Sequence, residues 1–413
     1  MLNYFRAINR TPTSNLQIML NSLKQTLEQR KADGLLRQRR LLDSPQAEHI
    51  VANNKPYLSF CSNDYLGLAN HPELIAAMQK AAGDSGVGSG ASNLITGHHR
   101  YHDTLEKQLA QFVNHPAALL FSTGYMANIG VLGALVGRGD AIFADKLNHA
   151  CLNDGGYYSL AEFNRFAHND VAGLESLLKA STAKHKLIAV DAVFSMDGDI
   201  APLPEYLALC EKYDAYLYID DAHGFGVLGE HGEGALNHFQ LTKNMPKSPR
   251  IIMMATLGKA AGVAGAFVAG EQVVIDYLIQ TAKSYVYSTP APPALSATLS
   301  ASLHLIEQGD DLRTHLRSLI SYLKDNLHCK RKIKPWQLMP SMTAVQPLLV
   351  GSNQAALALS EYLQTCGILV PAIRPPTVPV GTARLRISLS AAHSLSDIKA
   401  LVTAIHQAEQ VLL

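Results

Sequence analysis

The sequence predicts an α/β protein: a large domain with a mainly parallel seven-stranded sheet flanked by helices, a smaller α+β C-terminal domain and an N-terminal helical segment. Three observations predict it. After Tyr57, short apolar, β-rich runs alternate with amphipathic helical stretches, the pattern of a parallel sheet whose crossovers are helices. Near Pro290 that pattern gives way to a long helix and then to mixed helices and strands. Before Tyr57 the chain reads as one charged helix. The expected boundaries are 1–55 for the N-terminal helical segment, 56–292 for the large domain and 293–413 for the C-terminal domain.

Each element has its own signal. Leu16, Leu20, Leu23, Leu27 and Leu35 recur at near-helical spacing, predicting an amphipathic helix from Asn15 to Arg40 that ends in the basic run Arg37-Gln38-Arg39-Arg40. The strand candidates are Ala117 to Ser122, Ala141 to Ala144, Phe163 to Phe166, Leu187 to Phe194, Ala215 to Ile219, Ile251 to Ala255 and Ala264 to Val268. Helical candidates between them include Thr104 to Val113, Tyr125 to Val136, Leu174 to Ala180 and Pro204 to Tyr213. The last two strands follow each other too closely for a crossover helix and predict a local antiparallel pair. Pro293 to Glu307 reads as the long helix that opens the C-terminal domain.

Composition narrows the function. Of 413 residues, 47% are hydrophobic and 17% charged, which suits a globular chain with a sizeable core. A formal net charge of +1 gives no footprint for nucleic acid or a membrane surface. No apolar run approaches the roughly 18 residues of a spanning helix, and the first residues lack the apolar stretch of a secretory signal. A cytoplasmic setting is therefore expected. Cys61, Cys151, Cys210, Cys329 and Cys366 are scattered, with no CxxC pair, and are expected to be free thiols.

Four segments carry chemistry. In Tyr218-Ile219-Asp220-Asp221-Ala222-His223-Gly224 a hydrophobic strand ends in two acids. Ligands of open α/β sheets bind beyond the carboxyl ends of strands. An acid there can pair with the protonated ring nitrogen of a heteroaromatic cofactor, although a helix cap and turn would use the same residues. In Ala255-Thr256-Leu257-Gly258-Lys259-Ala260-Ala261-Gly262 a strand runs into a small-residue turn holding one lysine. Desolvation there would lower the lysine's pKa and raise its nucleophilicity, as a Schiff-base lysine requires. Ser122-Thr123-Gly124-Tyr125 begins a helix, and helix N-terminal amides bind phosphate; an ordinary capped helix start looks the same. Arg374, in the Pro-flanked stretch Arg374-Pro375-Pro376-Thr377-Val378-Pro379, is placed to meet a planar carboxylate; a rigid linker with a solvated Arg looks the same.

Two signals are set aside. Gly86-Val87-Gly88-Ser89-Gly90 does not join a strand to a helix as a dinucleotide loop must. In the cluster His98-His99-Arg100-Tyr101-His102, His98 and His102 are four apart but no Cys or acid completes a ligand set, so no metal is expected.

Taken together, the segments resemble the α-oxoamine synthases, a group of the fold-type I pyridoxal 5'-phosphate (PLP) dependent transferases. The resemblance runs from about Leu35 to His393. It is carried by Ser62-Asn63-Asp64-Tyr65-Leu66-Gly67-Leu68, Arg165-Phe166-Ala167-His168-Asn169-Asp170, Phe194-Ser195-Met196-Asp197-Gly198-Asp199, Asp220-Asp221-Ala222-His223-Gly224 and the Lys259 segment. It implies that Lys259 holds PLP as a Schiff base, that Asp220 pairs with the pyridine nitrogen, that His149 stacks on the ring, and that Ser195 and His223 lie near the phenolic oxygen. It further implies that Gly124, Tyr125 and Thr256 bind cofactor, the first and last at the phosphate. Arg374 would hold the amino acid's carboxylate, with Asn63, Arg37, Thr377 and His149 at the substrate. Family members are homodimers, so Ser288 and Thr289 would reach the partner subunit's phosphate. Ala372 to Pro379 points within the family to condensation of L-alanine with a pimeloyl thioester of coenzyme A or an acyl carrier protein. Glycine-using members and an aminotransferase of the same fold are the alternatives. A binding protein on a degenerate fold ranks last, because Lys259, Asp220, His149 and Arg374 are all present.

Overall fold

A computed structural model describes residues 13–241, 248–327 and 336–413. The first helix, α1 (Thr13–Ala32), is followed by the hairpin β1 (His49–Ala52) and β2 (Lys55–Ser59). The predicted helix through Arg40 ends eight residues early. Gly34 adopts φ 65°, a left-handed conformation that stops a helix and suits glycine, so Arg37 to Arg40 leave the helix as an exposed strap. Helices α2 (Pro72–Ser85) and α3 (Arg100–Phe112) come next. The Gly86–Gly90 loop follows α2 and not a strand.

All seven predicted strands enter one sheet. They are β3 (Ala117–Phe121), β4 (Ala141–Asp145), β5 (Glu162–Phe166), β6 (Lys186–Asp191), β7 (Ala215–Asp220), β8 (Ile251–Thr256) and β9 (Ala266–Gly270), in the order β3-β9-β8-β7-β6-β4-β5. Strands β4 to β8 run parallel, while β9 is antiparallel to both β8 and β3. The expected antiparallel pair is therefore present. Helices α4 (Gly124–Leu135) and α5 (Ala150–Ser159) begin at the carboxyl ends of β3 and β4.

Strand residues alternate between the two faces. Leu217 and Ile219 of β7 join one core, with the helices of the opposite layer and the C-terminal region. Tyr218 joins the other, with Ala127, Val131 and Leu132 of α4. Each such buried side chain contributes about 1.5–3 kcal/mol. The same alternation puts Asp220 on the face of Tyr218, towards α4, and Asp221 on the opposite face. Asp221 is fully buried and accepts from the Ala235 amide at 2.7 Å, a structural role that separates the two neighbouring acids.

The long helix falls at Pro293–Glu307, as predicted. The C-terminal sheet holds β10 (Gln337–Leu338), β11 (Val345–Gly351), β13 (Ala372–Ile373) and β14 (Ala383–Ser388), in the order β10-β11-β14-β13. The short strand β12 (Ile368–Leu369) instead pairs in parallel with β2, tying the N-terminal hairpin to the C-terminal region. Among the described residues no helix is long and apolar enough to cross a membrane. Cys61, Cys151, Cys210 and Cys366 are free thiols; Cys329 lies outside the described residues.

The histidine cluster has a local explanation. His99 caps α3, its Nδ1 accepting from the Tyr101 amide, and His102 Nδ1 accepts from the His99 amide. Two imidazoles thus make a reciprocal capping box. His102 Nε2 lies 2.8 Å from the Ala291 carbonyl. With Nδ1 accepting, Nε2 must be the donor. Among the described residues no three His, Cys, Asp or Glu side chains meet in a way that could hold a metal ion.

Candidate active site

At the carboxyl ends of β4, β6, β7 and β8 lies a pocket of about 190 Å³ lined by Gly124, Tyr125, His149, Cys151, Asp191, Ser195, Asp220, Ala222, His223, Met254, Thr256 and Lys259. Eight of the residues expected from sequence meet here: Gly124, Tyr125, His149, Ser195, Asp220, His223, Thr256 and Lys259. They come from separate strands because each parallel strand delivers its last residues to the same edge.

Lys259 follows β8 in the turn beyond Thr256. Burial pulls its ammonium down to about 8, against the opposing charges of Asp220 and Asp191. Its Nζ lies 2.8 Å from His223 Nε2, and His223 Nδ1 lies 2.6 Å from the Tyr65 hydroxyl. That hydroxyl donates its one proton to Asn63 Oδ1 at 3.2 Å. His223 Nδ1 must therefore donate to Tyr65, leaving Nε2 to accept from Lys259. Burial, then the charges of Lys259 and Arg386, hold His223 well below its ordinary value, so it is a neutral acceptor that aims the lysine.

Asp220 ends β7. Its Oδ2 accepts from Asn128 Nδ2 at 2.7 Å and its Oδ1 from the Ala222 amide at 3.0 Å, leaving each oxygen with a further lone pair. Asp191 pairs with Asp220 across the parallel ladder. Burial and the neighbouring Asp220 charge raise its pKa well above the carboxylate range. Asp191 Oδ2 accepts from the His149 amide at 2.8 Å, and its own amide donates to Asn148 Oδ1 at 3.1 Å, which fixes the loop carrying His149. His149 caps α5, and burial lowers its pKa. Sequence reading missed Asp191, although the strand-to-acid signal of Asp220 recurs at the end of β6.

The loop after β6 is held from two sides. Arg384 Nη1 donates to Asp197 Oδ1 at 2.7 Å, and Arg386 Nε donates to the Ser195 carbonyl at 2.6 Å. Arg386 also donates to Asn63 Oδ1 at 3.0 Å and lies 3.4 Å from the Tyr65 hydroxyl. On the other side, His168 Nε2 meets Asp199 at 2.8 Å and its Nδ1 meets fully buried Asp145 at 3.2 Å. Burial alone would lower His168. The hydrogen bonds and charges of Asp145 and Asp199 outweigh it and push the imidazolium up to about 10. Its contribution to stability is therefore complete below the unfolded histidine value of about 6.5 and is lost as pH rises through about 10. Replacing His168 by Gln should cost about 3 kcal/mol at neutral pH, the cost of stranding a buried charge. In denaturant titrations the gap to wild type should close at pH values above that range.

The remaining predicted residues lie outside this pocket. Arg37 Nη2 is 3.4 Å from Thr377 Oγ1, so those two expected substrate residues do meet. Arg374 Nη1 donates to the Gly34 carbonyl, and its buried Nε has no hydrogen-bond partner. Asn63 is tied to Tyr65 and Arg386. Ser288 and Thr289 line a separate cavity with His98, His102 and Glu106.

The model of the aminotransferase class I and II family matches residues 55–405. The 8-amino-7-oxononanoate synthase of Methylobacillus flagellatus is 55% identical over 392 residues, covering 95% of this chain and 97% of that protein. The enzyme of the same name from Nitrosospira multiformis is 54% identical over 410 residues, covering 99% of each. Among solved structures, a serine palmitoyltransferase from S. paucimobilis with bound PLP and myriocin superposes with a TM-score of 0.88 at 26% identity, covering 96% of this chain and 99% of that one. An 8-amino-7-oxononanoate synthase from Francisella tularensis gives a TM-score of 0.71 at 28% identity, over 86% and 98%. The chain belongs to the class I and II aminotransferase family and, within it, to the 8-amino-7-oxononanoate synthases.

Proposed function

We propose that the chain condenses L-alanine with a pimeloyl thioester, of coenzyme A or an acyl carrier protein, releasing CO2 and free thiol and giving 8-amino-7-oxononanoate for biotin synthesis. The cofactor is PLP. The observation that carries this reading is Lys259, a desolvated amine facing Asp220, His149 and Thr256 in one pocket, in a chain whose relatives of that name match it end to end.

The residues present fit the cofactor. Asp220 keeps lone pairs for a ring N–H. The first-turn amides of α4 have no helical partners; Thr123 Oγ1 takes that of Met126 at 3.2 Å, which leaves those of Gly124 and Tyr125 to meet a phosphate. When bound, PLP supplies an electron sink for negative charge developing at the substrate Cα. Asp220 would hold the ring-nitrogen proton, and His149 would cover the ring face. Lys259 Nζ removes the Cα proton, and its lowered pKa leaves much of it neutral near pH 8. The rate at which cofactor-free enzyme captures PLP should therefore climb with pH and level off above about 8, read as growth of the visible band in stopped flow.

For the substrate carboxylate, Arg374 was the sequence-level candidate, and the structure adds Arg386. The second has the stronger claim, because its charge acts on both Lys259 and His223 and its Nη2 has only the long contact to Tyr65. Arg386→Lys should raise KM for L-alanine about tenfold or more, through loss of the planar fork, and Arg374→Ala by less. The opposite order would return the carboxylate to Arg374. Ser288 and Thr289, which line a separate cavity, fit a homodimer in which they complete the partner's phosphate site. The activity itself is tested by thiol release from pimeloyl thioester. Alanine should support it and glycine should not. Glycine preference, or exchange of amino groups with a keto acid without thiol release, would overturn the assignment.

A further inference from the structure

Asn128 is fully buried one helical turn below Gly124 on α4, so both share the helix face that meets the sheet. Every polar atom of its amide is used. Oδ1 accepts from the Tyr218 hydroxyl at 2.7 Å, and Nδ2 donates to Asp220 Oδ2 at 2.7 Å and to Cys151 Sγ at 2.9 Å. The orientation is fixed, because a flipped amide would set its oxygen against the Asp220 carboxylate. Cys151 Sγ in turn lies 2.7 Å from His149 Nδ1, which also accepts from the Cys151 amide at 3.3 Å. Nδ1 is therefore an acceptor, the thiol is the donor, and His149 carries its proton on Nε2. Burial and the Asp220 charge push this thiol up to about 12, which keeps the proton in place.

We propose that Asn128 is the positioning residue that couples the two groups gripping the cofactor ring: one amide hydrogen sets Asp220 at the ring edge, and the other, relayed by the Cys151 thiol, sets His149 on the ring face. This rests on the reading of Asp220 and His149 as ring partners. A residue that merely filled space would need neither the donor count nor the fixed orientation. Tyr218 completes the device from the same strand face as Asp220, clamping the amide from the side away from the pocket.

The test uses holoenzyme variants Asn128→Ala, Asn128→Ser, Cys151→Ala, Cys151→Ser and Asp220→Asn, each followed by thermal melting, PLP titration, the pH titration of the visible cofactor band, and kcat with L-alanine. Asn128→Ala should bind PLP about tenfold more weakly, displace the band's pH midpoint and lower kcat by about tenfold or more, with KM for the thioester unmoved. Cys151→Ala should show part of the kcat loss, and Cys151→Ser, which keeps a donor, should recover most of it. If Asn128→Ala does not fold, Asn128→Ser gives the same readouts with a smaller cavity. A wild-type band titration and kcat in the folded Asn128 variant, beside an altered Asp220→Asn, would reduce Asn128 to packing and overturn the proposal. A wild-type band in Asp220→Asn would overturn the ring-partner reading itself.

Discussion

Lys259→Ala protein should purify folded and without the visible band of the lysine–cofactor Schiff base, and should turn over at least about a thousandfold more slowly than wild type. The expectation combines two losses, the covalent anchor and the base at Cα. Both follow from one amine at the end of β8, pulled down to about 8 by burial and aimed by the neutral His223 at 2.8 Å. Folding should survive, because a buried cation is removed rather than created: desolvation opposes the protonated lysine in the folded state. Absorbance spectra and thiol release on the same preparation check both halves.

Asp220→Asn should have the second largest effect, lowering kcat/KM about a hundredfold to a thousandfold with little change in melting temperature. The amide keeps the shape but cannot hold a ring-nitrogen proton as a carboxylate does. Two shifts of known sign accompany it. Asp220 raises the Lys259 pKa, so its loss moves the midpoint of PLP capture below about 8. Asp220 also raises the Asp191 pKa, so Asp191 returns towards the ordinary carboxylate range. A midpoint that moved upward would contradict the electrostatic arrangement of the three groups.

The sheet was legible because its strands are apolar on both faces, and parallel strands buried on both sides read as continuous hydrophobic runs. Lys259 and Asp220 were legible for the same reason: each is a polar break at the end of such a run. Arg386 was not. In Ala383-Arg384-Leu385-Arg386-Ile387-Ser388 the arginines alternate with apolar residues, the pattern of a strand with one solvated face. Yet all six positions of β14 are buried, because its second face packs on the loop after β6 through Arg384–Asp197 and Arg386–Ser195. No local pattern marks a contact between residues nearly two hundred positions apart. Asn128 was hidden likewise, as one polar residue in an apolar helix. The helix expected to reach Arg40 stopped at Ala32 because one left-handed glycine outweighed the leucine spacing that continued past it.

The central claim is that Lys259 carries the cofactor, and one measurement reaches it directly. Holoenzyme is reduced with borohydride, which makes the lysine–cofactor bond permanent, then digested and mapped by tandem mass spectrometry. A phosphopyridoxyl group on Lys259, in the peptide spanning Thr256 to Gly262, is the predicted result. The same group on any other lysine, or none on a protein that still condenses alanine with the thioester, would contradict it.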